Sequence, residues 1–136
     1  PLILVAEPTP EPTPEPTQEP KPEPTQEPAP LPGENVQCNT IGDAKICATI
    51  SDANPTKNSW LTVRGQLIVN GVPQNNLRMS TTWHFKTTDS YCNDGYTNAD
   101  GIASCQYYIS GAASGYSVKI DVSISSYSIT TWFTTQ

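Results

Sequence analysis

Twelve of the fourteen prolines in this 136-residue chain fall within its first 32 positions, which separates a segment unable to build hydrogen-bonded secondary structure from one that can. Proline fixes φ, removes an amide donor and biases the residue before it to extended backbone, so a dense run of prolines closes off both helix and sheet ladder. The remaining 104 residues, 33 to 136, hold two prolines and suffice for one core but not two. The organisation read from this is an apolar segment over residues 1–6, a Pro/Glu/Thr-rich extended linker over 7–32 and one folded domain over 33–136.

Within the linker, Glu7, Glu11, Glu15, Glu19, Glu23 and Glu27 each precede a proline in a four-residue repeat. Polyproline II is the conformation left to such a sequence, and at about 3.1 Å per residue the linker reaches on the order of 80 Å, which makes it a semi-rigid spacer. A period of four on a helix of about three residues per turn spreads the acids around the rod, so they solvate it and form no binding stripe. Thr9, Thr13, Thr17 and Thr25 lie in the compositional setting of O-glycosylated stalks. The acidic excess of 13 to 7 is mostly local to this segment: the first 32 residues carry six Glu and one Lys, and the rest seven acids and six bases. A nearly neutral folded part excludes a basic nucleic-acid domain, because duplex binding needs clustered Lys and Arg. No apolar run approaches the roughly 20 residues of a membrane span.

Ahead of the linker, Leu2, Ile3, Leu4, Val5 and Ala6 form a charge-free apolar run. Three readings stand open for it. It suits an assembly strand that completes a neighbouring molecule's sheet, with Leu2, Leu4 and Ala6 on one side and Ile3 and Val5 on the other. It also suits the end of a secretory signal peptide, with a small residue at the cleavage position. The third reading is a plain disordered end.

The folded part reads as all-β. Apolar residues recur at every second position in short blocks: Ile46, Ala48 and Ile50; Leu61, Val63, Leu67 and Val69 with Gly65 in line; Leu77, Met79, Thr81, Trp83 and Phe85. Three more follow: Ala103, Cys105, Tyr107 and Ile109; Tyr116, Val118, Ile120, Val122 and Ile124; Tyr127, Ile129, Thr131 and Phe133. Asn, Asp, Gly and Pro clusters such as Asn70-Gly71-Val72-Pro73 and Asn98-Ala99-Asp100-Gly101 punctuate them. Short strands at this spacing in about 100 residues predict a two-sheet, immunoglobulin-like sandwich of about seven antiparallel strands with Trp83 at the centre of its core.

Two motifs carry a family resemblance. Leu67-Ile68-Val69-Asn70-Gly71-Val72-Pro73, followed by the strand through Trp83, and then Thr97-Asn98-Ala99-Asp100-Gly101-Ile102-Ala103 resemble bacterial immunoglobulin-like repeats of the invasin and intimin kind. Those repeats run from a strand into a Gly-x-Pro turn and later carry a Thr-Asp-x-x-Gly-x-Ala hairpin; Asn98 stands where the family has Asp. The resemblance implies a spacer, adhesin repeat or appended module of bacterial surface and secreted proteins, with no catalytic residues.

Four cysteines allow three pairings, and spacing favours Cys38 with Cys47 and Cys92 with Cys105, each pair flanking a turn segment. Separations of 9 and 13 do not suit the close knuckles of a zinc site. Disulfides together with a proline stalk place the protein outside the cytoplasm.

Residues that would carry other chemistry are sparse. His84 is the only histidine, lies on the strand face opposite Trp83 and has no partner evident in the sequence; no nucleophile-elbow motif accompanies it, so no catalytic site is expected. Asp89, Asn93, Asp94, Asn98 and Asp100 gather oxygen ligands as calcium sites do, but tight turns require the same residues, so no metal or cofactor is expected. Lys45 and Lys119 fall on polar faces, away from the interior that an isopeptide crosslink would need. Trp60 and Trp132 remain as a candidate exposed aromatic surface, with Tyr91, Tyr96 and Tyr108 in or beside loops, able to stack on sugar rings or on another subunit.

The function expected from these features is that of a non-enzymatic extracellular structural subunit. It would assemble with copies of itself into a filament or surface layer by inserting its N-terminal strand into a neighbouring domain. The alternative is an accessory module that binds glycans or cell wall on behalf of a larger secreted protein.

Overall fold

Every block of alternating apolar residues forms a strand in the computed structural model, which describes residues 8–14, 16 and 29–136. In chain order β1 spans Glu34–Ile41, β2 Ala44–Ile50, β3 Ser59–Val69, β4 Val72–Pro73, β5 Arg78–His84, β6 Asp89–Tyr96, β7 Ile102–Ile109, β8 Ser117–Ile124 and β9 Tyr127–Thr134. Six of these are the expected strands, and β1, β4 and β6 are added to them. No helix among the described residues is long and apolar enough to cross a membrane. The expected assembly strand, Leu2, Ile3, Leu4, Val5 and Ala6, and most of the linker lie outside the described residues.

The strands form two antiparallel sheets packed face to face. In the first, β2 and β7 flank β3, β1 lies outside β2, and β4 pairs with the end of β3 through a turn in which Asn70 and Gly71 both take positive φ. The second runs β6-β5-β8-β9. In immunoglobulin lettering β2, β3 and β7 take the places of strands A, B and E; β5, β8 and β9 those of C, F and G; and β6 that of C′. Trp83 thus occupies strand C, where that arrangement buries its tryptophan.

Alternation decides what each strand contributes. Ile46, Ala48 and Ile50 of β2, Leu61, Val63 and Leu67 of β3, and Ala103 and Ile109 of β7 face Met79 and Trp83 of β5, Val118, Ile120, Val122 and Ile124 of β8, and Phe133 of β9; all are buried. The Trp83 ring, wholly inaccessible, lies 5.2 Å from that of Tyr107 and 5.9 Å from that of Phe133 between centroids. Its indole N–H donates to Thr81 Oγ1 at 3.0 Å, and that hydroxyl donates to the Cys92 carbonyl at 2.6 Å, so the polar end of the buried ring is satisfied. Gly65 faces inward where the neighbouring strand positions are apolar. A Cβ there would lie 2.8 Å from Met79 Sδ and 2.9 Å from Val122 Cγ1, so the backbone of β3 approaches the opposite sheet more closely than a side chain allows.

Both open sides of the sandwich are stitched. Cys38 and Cys47 are bonded across the β1–β2 register with Cα atoms 4.1 Å apart, as their shared turn suggested. Cys92 and Cys105 are also bonded, but their strands do not form a hairpin: β6 and β7 belong to different sheets, and this disulfide joins the sheets along one side. The Tyr107 hydroxyl, donating to Ser90 Oγ at 2.9 Å, adds a second tie there. On the other side Thr131 Oγ1 donates to the Asn35 carbonyl at 2.8 Å, and Asn35 Nδ2 donates to the Trp132 carbonyl at 2.7 Å. The segment expected as a Thr-Asp-x-x-Gly-x-Ala hairpin is therefore a crossover between sheets. Asn98 Oδ1 accepts from the amides of Asp100 and Ile102 at 2.9 and 3.1 Å, and Gly101, at φ +75°, lies so close to the Leu67 carbonyl that a Cβ would be 2.6 Å from it.

The last linker residues lie against the outer face of the first sheet. Gln66 Nε2, on a side chain almost fully covered, donates to the Ala29 carbonyl at 2.9 Å, and Thr49 Oγ1 donates to the Pro32 carbonyl at 2.7 Å.

Trp83→Ala is expected to cost about 3 to 5 kcal/mol, because the cavity it leaves is walled by both sheets. Gly65→Ala is expected to cost about 1 to 3 kcal/mol by overpacking against Met79 and Val122. Urea denaturation of each variant measures both, and a Trp83→Ala loss below about 1 kcal/mol would contradict its place in the core.

Candidate functional site

Once the odd-numbered positions of β5 and β9 and the even-numbered positions of β8 are committed to the core, the alternate positions must face solvent on the outer side of the β6-β5-β8-β9 sheet. Strand register aligns them in rungs. Asp89, His84, Lys119 and Trp132 form one rung; Tyr91, Thr82, Asp121 and Thr130 the next; Ser80, Ser123 and Ser128 a third. The face is polar along its middle strands and carries aromatic rings on both edge strands.

His84 is not the partnerless residue its sequence neighbourhood suggests. Nδ1 lies 3.0 Å from Asp89 Oδ1 on β6, and Nε2 lies 2.7 Å from Asp121 Oδ2 on β8, so the ring bridges three strands. Asp121 also accepts from Thr130 Oγ1 at 2.7 Å, which extends the chain to β9. With the ring protonated, both nitrogens donate to carboxylates. The hydrogen bond to Asp121, then that to Asp89, raises the His84 pKa above the ordinary 6.5, against a smaller opposing effect of burial and with added attraction from both charges. Burial pushes Asp121 up, but the hydrogen bonds from His84 and Thr130 and the charges of His84 and Lys119 outweigh it, and its pKa ends below 3.8. Both groups are well exposed, so solvent screens the pair, and its weight lies in fixing side-chain positions more than in stability. With both nitrogens occupied by carboxylates, the imidazole has no free position from which to take a substrate proton.

Beside this cluster the face dips into an open concavity of about 660 Å³ lined by His84, Ser117, Lys119, Asp121, Thr130 and Trp132. The Trp132 side of it is one of the two aromatic candidates. The other, Trp60, does not join it: Trp60 lies on β3, in the first sheet, 66% exposed, with its ring 5.4 Å from that of its cross-strand partner Tyr108. Tyr91 and Tyr108 fall within β6 and β7, and Tyr96 ends β6 beside the crossover loop. A separate cleft of about 330 Å³ is lined by Phe85, Lys86, Thr87, Tyr107 and Tyr116 among others. Of the oxygen-rich residues between Asp89 and Asp100, Asp89 engages His84, Asn93 Oδ1 accepts from the Thr81 amide at 3.1 Å, and Asn98 holds the crossover turn. Among the described residues no three His, Cys, Asp or Glu side chains converge on a common point as metal ligands would.

Alternation identified His84, Lys119 and Trp132 as outward-facing. The pairing of His84 with Asp121 was not visible, because 37 residues separate them and only the β5–β8 register brings them together. Compared with known proteins, the chain matches no family model and no curated sequence.

The His84 clamp predicts a specific titration. A group whose folded pKa is raised contributes stability that is complete below its unfolded value near 6.5 and fades as pH rises through the folded value. Asp121, lowered, contributes above about 3.8 and loses that contribution as pH falls through its folded value. The His84 ring protons followed by NMR should titrate with a midpoint above 6.5. Asp121→Asn should lower that midpoint more than Asp89→Asn; equal midpoints in all three proteins would dissolve the clamp.

Proposed function

We propose that this chain is a non-catalytic extracellular binding module of immunoglobulin-like build, carried on a proline-rich stalk and acting through the outer face of the β6-β5-β8-β9 sheet. The observation that carries the reading is the Asp89–His84–Asp121–Thr130 chain beside Trp132. Four strands contribute to an ordered polar network on a solvent-facing surface where the fold itself requires none. Polar groups held in place before a ligand arrives lower the entropy lost on binding, which is what a recognition surface gains from such a network. Two disulfides suit an oxidising compartment, and the stalk suits display away from an anchoring point. The resemblance to surface-protein repeats of the invasin and intimin kind agrees with that setting.

Assembly through the N-terminal strand is a distinct proposal for residues 1–6. The described sandwich has no missing strand: Trp83, Phe133, Ile120 and their neighbours are covered by the nine strands themselves. An incoming strand would have to add along an outer edge such as β1 or β9, without a core groove to fill, and backbone pairing alone would hold it.

Light scattering on the full chain and on a chain lacking residues 1–6 separates the two. The module reading predicts monomers from both; polymers of the full chain that vanish on deletion would replace it with assembly.

A further inference from the structure

Resting on the binding-module reading, we infer that the concavity beside Trp132 holds a ring of a neutral polysaccharide.

Three features of the site fix the ligand class. The first is the indole. Trp132 lies on edge strand β9 with 37% of its surface exposed, and Asn35 Nδ2 holds its backbone from β1. An exposed aromatic ring offers a flat apolar platform, and the ligand class that presents a flat array of C–H groups ringed by hydroxyls is a pyranose.

The second is the arrangement of polar groups around that platform. Lys119 is the direct cross-strand neighbour of Trp132, and Thr130 and Asp121 occupy the adjoining rung. Asp121 uses Oδ2 toward His84 and Oδ1 toward Thr130, and a carboxylate with about four lone-pair sites keeps acceptor capacity for hydroxyl donors. Lys119 supplies donors for hydroxyl acceptors, and Ser117 on the next rung supplies either. The site therefore matches groups that both donate and accept, which is the chemistry of sugar hydroxyls. The His84 bridge fixes the Asp121 carboxylate before binding.

The third is charge. With His84 protonated, the groups facing the concavity and its clamp comprise two cations, His84 and Lys119, and two carboxylates, Asp89 and Asp121, and they cancel. With His84 neutral the balance is one negative charge. Neither state attracts an anionic chain, and the protonated state does not attract a cationic one, so an uncharged ligand meets the least opposition.

Affinity electrophoresis of the whole protein through native gels tests the assignment. The gels contain hydroxyethylcellulose or galactomannan as neutral polymers, polygalacturonate as an anionic one and glycol chitosan as a cationic one. Retardation by a neutral polymer is expected, weakened at least about tenfold by Trp132→Ala, with Asp121→Asn also weaker. Urea denaturation of each variant checks that the core is intact. Retardation by the anionic or cationic polymer alone would overturn the ligand class. Retardation lost in Trp60→Ala and kept in Trp132→Ala would overturn the location. No retardation by any polymer would overturn the inference while the monomer test of the module reading stands on its own.

Discussion

Covering the Trp83 indole is the requirement from which the surface geometry follows. One ring on β5 has to be enclosed by Tyr107 from the opposite sheet and Phe133 from β9, and this enclosure fixes which face of β5, β8 and β9 points inward. In a pleated strand the choice is binary, because a slip of one residue would turn every side chain to the other face. With Trp83, Ile120 and Phe133 committed to the interior, His84, Asp121 and Trp132 have only the exterior left to them. The network on the outer face is thus registered by the core beneath it: Thr81 satisfies the indole nitrogen, and the next positions along the same strand, Thr82 and His84, stand on the outer rungs.

The two sheets meet with different means on their two sides. Covalent closure at Cys92–Cys105 joins β6 to β7, while hydrogen bonds from Thr131 and to Trp132 join β9 to the start of β1. A closed loop of about a dozen residues restricts the unfolded chain by roughly 3 kcal/mol, so the disulfide side is the more strongly pinned. That asymmetry bears on function, because β6 carries Asp89, one anchor of His84, and the disulfide holds β6 in place against a sheet with which it shares no ladder. Close approach of the sheets at Gly65 removes the remaining freedom to slide, since Met79 and Val122 occupy the space a side chain would take.

Most of the fold was legible because a sealed strand face leaves a period-two signature in the sequence: β3, β5, β7, β8 and β9 bury largely alternate side chains, and β2, though covered on both faces, keeps its branched and small apolar residues Ile46, Ala48 and Ile50 on the core side; all six were read. The strands that went unread bury little. β1 exposes most of its side chains, β4 is two residues long, and β6, with the sequence Asp89-Ser90-Tyr91-Cys92-Asn93-Asp94-Gly95-Tyr96, is written in turn-forming residues and held to its sheet by register with β5 and to the other sheet by Cys92. Missing β6 also obscured the disulfide geometry: the pairing of Cys92 with Cys105 follows from proximity along the chain, but its role as a bridge between sheets depends on β6 joining the sheet of β5. The site was legible by composition and not by geometry. His84 and Trp132 could be placed outside, whereas the Asp89–His84–Asp121 bridge arises from non-local register, and the separation of Trp60 from Trp132 onto opposite faces arises from which sheet each strand joins.

The central claim, that the outer face of the β6-β5-β8-β9 sheet is the working surface, is tested most directly by mapping amide and indole shifts of the full chain by NMR during titration with a soluble neutral oligosaccharide. The account predicts that the Trp132 indole N–H and the amides of Lys119, Asp121 and Thr130 move together and saturate with one affinity. Shifts concentrated instead at Trp60 and Tyr108, or in the cleft around Phe85 and Tyr116, would contradict it.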